Sequence, residues 1–171
     1  MKKVSDIHAI KIIFFITACY VGLWVIRIPT IKDQLQTDYV GVGYIMLSFA
    51  IGSIVAMIFA NALILKTSTK SILTCTLIAE GCLWLPVPFI QELWLFMVFS
   101  FVFGMSYGAF EIACNVYASN LEVREKKSMM SGFHAFWSLG VLFGSLITSF
   151  LLEWNYSFIF NILLYVIILL P

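Results

Sequence analysis

The chain has 171 residues, of which 62% are hydrophobic, 16% aromatic and only 11% charged, and its mean hydropathy is +1.02. Soluble domains carry about 25% charged residues, so a water-soluble fold is excluded. A net charge of +1, with no basic block and no phosphate-cradling loop, also excludes a nucleic-acid or polyanionic partner, leaving an integral membrane protein whose first partner is the lipid bilayer.

Six apolar segments follow one another along the chain, at 9–28, 41–65, 71–90, 93–119, 131–152 and 158–170. A helix needs about 20 apolar residues to cross the hydrocarbon layer, and the first five segments reach that length. The sixth is short and runs unbroken to Pro171 with no polar cap or charged anchor; the chain is expected to stop at or before the natural end of that helix. The first segment is not a cleaved leader, because its apolar stretch is long and runs into Arg27, Ile28 and Pro29 without a small-residue cleavage site. The expected fold is therefore an all-α membrane protein, a single six-helix transmembrane bundle over residues 1–171.

The connectors carry nearly all the charge. Lys2, Lys3, Lys11, Lys66, Lys70, Arg124, Lys126 and Lys127 fall on one side, Arg27 and Lys32 on the other. Basic residues mark the cytoplasmic side, so both termini are expected in the cytoplasm and the protein in the cell (plasma or inner) membrane. Trp24, Trp94, Trp154 and Tyr156 lie near the predicted outer ends, where amphipathic rings sit at headgroup level. Gly104 and Gly108 in the fourth segment, and Gly140 and Gly144 in the fifth, form small-xxx-small faces; they predict tight packing of helices four and five. Cys19, Cys75, Cys82 and Cys114 all fall in apolar segments without ligand spacing, and read as small buried hydrophobes rather than disulfides or a metal site.

An ionisable group at bilayer depth costs about 2.5 to 3.5 kcal/mol even on the forgiving insertion scale, so each one calls for a reason. Glu111 is followed four residues later by Asn115, and the two share a helix face with Tyr107 and Gly108. Such a stripe looks inward, to a water-filled cavity or to partner helices. Glu111 is then either a reversible proton carrier or a protonated acid that ties two helices together, and intramembrane acids favour the first by default. Glu80 has Thr76, Leu77, Leu83 and Trp84 at helical spacing; this company favours a buried structural acid. His134, Trp137 and Ser138 lie three and four apart on one face of the fifth segment. They either line a substrate path, an aromatic platform beside hydrogen-bonding groups, or combine an interfacial histidine with a packing tryptophan. Arg27 either faces a cavity or snorkels to the outer surface, and snorkelling is the expectation. No nucleophile elbow, no paired metal-binding histidines and no cofactor fingerprint is present, so no catalytic, cofactor or metal site is expected and the chain does not read as an enzyme.

Six spans, a cytoplasmic N-terminus and a basic second-to-third loop together resemble the N-terminal half of a major facilitator superfamily transporter. The string from Trp24 to Lys32 looks like the first-helix exit of sugar-permease-like members, and 41–57, with Gly43 and Gly52, looks like their second helix. Gly108 to Asn115 is similar to the fourth helix of the fucose-permease-like branch, and His134 to Gly140 to its fifth. The resemblance implies that Glu111 is the proton-coupling glutamate, with Asn115, His134, Trp137, Tyr107 and Ser138 along the substrate path of a symporter. Where the superfamily's second-to-third loop carries Gly and then an Asp-Arg pair, Asn61, Leu65 and Lys66 stand here, and the first segment contains no acidic residue, so fucose itself is not implied.

The resemblance implies a function in which a small solute, sugar-like or otherwise polar, crosses the membrane by proton-coupled alternating access between two halves. The chain supplies one half, so its expected partner is a second six-helix half or a homodimeric copy. The alternative is a truncated, non-transporting remnant or membrane interaction protein.

Overall fold

The computed structural model describes residues 2–169, apart from the side chains at 2–5, 60, 61, 63, 65 and 169. Lys2, Lys3, Asn61 and Leu65 as side chains, and Leu170 and Pro171 altogether, lie outside the described residues. The chain is all-α, with six helices in order: α1 (Lys2–Gln34), α2 (Tyr39–Lys66), α3 (Thr69–Trp84), α4 (Leu93–Glu125), α5 (Met130–Glu153) and α6 (Phe158–Leu169). Five are long and apolar enough to cross a membrane, and the sixth apolar helix is shorter, as expected. The all-helical architecture follows from the solvent: lipid offers backbone N–H and C=O groups no partners, and a helix satisfies them within one segment.

The helices run past the apolar segments wherever polar residues can continue them into water. α4 continues from Ser119 to Glu125 and α1 from Ile28 to Gln34, carrying Pro29 inside the helix. Hydropathy limits the part in lipid, not the helix. α3 does the reverse and stops at Trp84, because Pro86 and Pro88 cannot continue it; a single 3-10 turn, Val87–Phe89, replaces the expected helix end. Gln34 Nε2 donates to the Val87 and Ile90 carbonyls at 2.9 and 2.6 Å and satisfies that irregular connection.

Three helices end on one device. After α1, α4 and α5, the residues Gln36, Lys126 and Asn155 take positive φ, at 48°, 51° and 58°. In each case the next N–H donates five residues back: Thr37 to Lys32, Lys127 to Glu122 and Tyr156 to Leu151. This is the Schellman arrangement, here without glycine. Helix starts are capped by side chains. Asp38 Oδ1 accepts from Gly41 N–H at 2.9 Å, and Ser68 from Ser71 N–H. α5 has no cap of its own at Met129; Glu122, from the end of α4, accepts from the Met129 and Met130 N–H groups instead.

The chain divides into two compact units, one of Met1–Arg27 with Cys114–Ser157, the other of Ile28–Ala113 with Phe158–Pro171. In the first, α1 and α5 meet along glycines. A methyl on Gly140 would fall against the Phe15 carbonyl, one on Gly144 against Cys19, and one on Gly22 against the backbone of Val141, Gly144 and Ser145. In the second unit α2 and α4 meet likewise, Gly52 on Phe101, Gly104 on Phe49 and Gly108 on Ser53. The glycine faces of α4 and α5, expected to close on each other, are thus closed by α2 and by α1. A small-xxx-small face signals close approach but does not name the partner. In the second unit α3 also packs on α6.

Because the atoms facing these glycines are backbone, they cannot move aside. Gly104→Ala and Gly140→Ala should each destabilise the fold by about 1 to 3 kcal/mol, the range for overpacking. Gly43 and Gly132 have nothing within 4 Å of an added methyl, so Gly43→Ala and Gly132→Ala should leave the thermal midpoint in detergent unchanged or raised. A drop for these two equal to that for Gly104→Ala would refute the seam.

Candidate substrate path

Glu111 and Asn115 stand one turn apart on the uninterrupted α4, and both are half-buried. Tyr107, one turn before Glu111, is half-buried too, its ring 5.4 Å from that of Phe49 on α2 and 6.5 Å from Phe110. The Gly108–Ser53 approach next to it fixes α4 against α2 at this level. On α5, His134 and Ser138 are exposed and Trp137 half-buried. The His134 ring meets the Phe14 ring of α1 edge-on, at 5.5 Å and 79°. Ser138 Oγ donates to the His134 carbonyl at 3.1 Å, so this hydroxyl commits its proton to the helix and keeps only its lone pairs.

The two intramembrane acids differ in access. Glu80 is 2% exposed and its Oε1 has no hydrogen-bond partner among the described residues; it is sealed within the unit, in keeping with a structural acid. Glu111 is not sealed. A proton carrier cannot be sealed throughout its cycle, and of these two acids only Glu111 is partly exposed.

Arg27 does not snorkel outward. It is 2% exposed, and its Nη2 donates to the Tyr156 carbonyl, at 3.4 Å, in the turn between α5 and α6. The positive φ at Asn155 turns the chain there, bringing a backbone acceptor within reach of the buried guanidinium, and a hydrogen bond from a charged donor is a strong one. The cysteines divide as well. Cys19 and Cys114 are buried as expected, whereas Cys75 and Cys82 are exposed on α3; thiols are apolar enough to sit on a lipid-facing surface.

Two cross-helix arrangements carry no signal in the residue pattern. Lys11, which entered the sequence argument only as a topogenic charge, lies over the Phe136 ring, 5.0 Å from its centroid. Asp6 pairs with Arg124 at 2.9 Å, joining the start of α1 to the end of α4 within the first unit. Cross-helix pairs have no spacing rule in one sequence, so neither was legible.

Comparison with known proteins is decisive at family level. The family model described as Major Facilitator Superfamily matches residues 12–171. The chain belongs to the major facilitator superfamily. It is 28% identical over 145 residues to an uncharacterised MFS-type transporter of Yersinia pestis, covering 83% of this chain and 37% of that protein. It is 24% identical over 141 residues to an uncharacterised transporter of Sinorhizobium fredii, covering 77% of this chain and 35% of that one. The chain thus spans little more than a third of the length of the curated relatives it matches, and no solved structure matches it. Superfamily membership sets it among membrane transport proteins and not among enzymes.

The Arg27 contact generates a prediction. Arg27→Met removes this hydrogen bond from a charged donor, worth about 1.5 to 3 kcal/mol. The thermal midpoint of the purified chain should fall accordingly, with Arg27→Lys losing less; an unchanged midpoint for Arg27→Met would mean that the side chain is solvated after all.

Proposed function

We propose that this chain is the N-terminal half of a proton-coupled permease for a small polar solute, in the sugar-permease-like, fucose-permease-like branch of the superfamily. The observation that carries this reading is Glu111: an ionisable side chain on a membrane-spanning helix, half-buried rather than sealed, with Asn115 one turn away. A carboxyl in that setting can take a proton from one side and release it to the other, while the neighbouring amide, with two donors and an acceptor, suits a hydroxylated solute. Tyr107, Asn115, His134, Trp137 and Ser138 are the proposed contacts along the path.

In this reading residues 1–171 act as one six-helix half, both termini lie in the cytoplasm, and the protein resides in the cell membrane. A second six-helix half, on the same chain or a separate one, completes the solute cavity, and transport proceeds by rocking one half against the other. The length of the relatives supports a further segment of comparable kind. Proton coupling gives the solute movement its direction, so the reading is that of a symporter.

The test is uptake into proteoliposomes holding this chain with its second half, under an imposed pH gradient. Glu111→Gln keeps the shape of the side chain but cannot exchange a proton, so gradient-driven accumulation should disappear while solute exchange without a gradient persists. Accumulation at the unaltered rate in Glu111→Gln would remove Glu111 from the coupling role. Glu80→Gln, by contrast, should leave coupling intact, since that side chain is closed off from solvent.

A further inference from the structure

Lys11 lies five residues into α1 from Asp6, whose pairing with Arg124 marks the charged rim of the first unit. At 1.5 Å per residue that is about 7.5 Å further along the helix. A lysine so placed could stretch back towards the rim, as long basic side chains commonly do. Instead its Nζ stands over the ring of Phe136. Lys11 is half-buried, and among the described residues no carboxylate pairs with it. A ring face replaces only part of the hydration an ammonium loses, so the group retains an unmet demand for an anion.

The surroundings of that ammonium continue in one direction. One turn along α1, Phe15 meets Phe143 of α5 with ring centroids 5.7 Å apart. Lys11 and Phe15 are four apart and Phe136 and Phe143 seven apart, so each pair shares a helix face. Phe136 is 36% and Phe143 51% exposed. The first unit therefore presents an open wall of three phenyl rings, Phe15, Phe136 and Phe143, with one unpaired cation at its end. His134 belongs to the other flank: it projects about 200° around α5 from Phe136 and meets Phe14.

We infer that this flank of α1 and α5 is a recognition site for a small organic carboxylate, Lys11 meeting the carboxylate and the phenyl wall its apolar body. Charge selects the occupant. A neutral solute would cover the rings but give Lys11 no anion, whereas an organic anion satisfies both. Recognition at this flank belongs to the chain alone and does not rest on the transport reading.

Benzoate, with benzamide as its neutral isostere, is the probe. The purified chain in nanodiscs should bind radiolabelled benzoate saturably, and benzamide at equal concentration should not displace it. Lys11→Met should weaken benzoate binding about tenfold or more, and Lys11→Arg should retain it to within about threefold, as a charge-selected contact requires. Benzamide competing as well as benzoate, undiminished binding in a monodisperse Lys11→Met protein, or no saturable binding at all would each overturn the inference. The benzamide comparison uses the unaltered chain, so the charge requirement is decided even if Lys11→Met does not fold. Failure here leaves Glu111 coupling untouched, and failure of gradient-driven uptake leaves benzoate binding untouched, so the two readings fall separately.

Discussion

Two helices in lipid gain little by hiding apolar side chains from each other, because the acyl chains around them are as apolar as leucine. What holds them is close contact, and close contact between backbones requires residues with almost no side chain. The chain uses this device once in each of its units, α1 on α5 through Gly22, Gly140 and Gly144, and α2 on α4 through Gly52, Gly104 and Gly108. Everything proposed for the path depends on these seams. Gly108 fixes the level of α4 beside Tyr107, three residues before Glu111. Gly140 and Gly144 bring α5 close enough to α1 for Phe14 to meet His134 and for Lys11 to reach Phe136.

How much of this could be read in the sequence depended on whether the physics was local. Hydropathy located six helices because burial in lipid is a property of consecutive residues, and it misplaced their ends because helix termination is not. α4 continues through Asn120 and Glu122 into water, and α1 passes Pro29, since one missing N–H does not stop a helix already held on both sides. At α3 the local signal was stronger than the apolar run: Pro86 and Pro88 end the helix although the residues around them are apolar. The glycine faces announced close approach and were right about that; their partners were not legible, because i, i+4 spacing describes one helix and says nothing of the helix opposite.

The polar groups divide on the same line. Glu111 and Asn115 stand together because four residues make a turn, and the sequence therefore paired them. Arg27 was misread because its acceptor, the Tyr156 carbonyl, lies 129 residues away in a turn that exists only through the positive φ of Asn155. Lys11 was read as topology alone because Phe136 is equally remote in sequence. Glu122 shows a third case. Its carboxylate caps the following helix rather than its own, a use that follows from the tight Schellman turn at Lys126 and from the affinity of a negative charge for a helix N-terminus.

These ionisable groups can be ordered by what each lacks. Arg27 has a backbone acceptor and little exposure, so it holds the fold. Glu80 is sealed, which removes it from any cycle that needs a proton to arrive and leave. Glu111 is half-buried rather than sealed, which the proposed coupling role requires. Lys11 has a ring but, among the described residues, no anion.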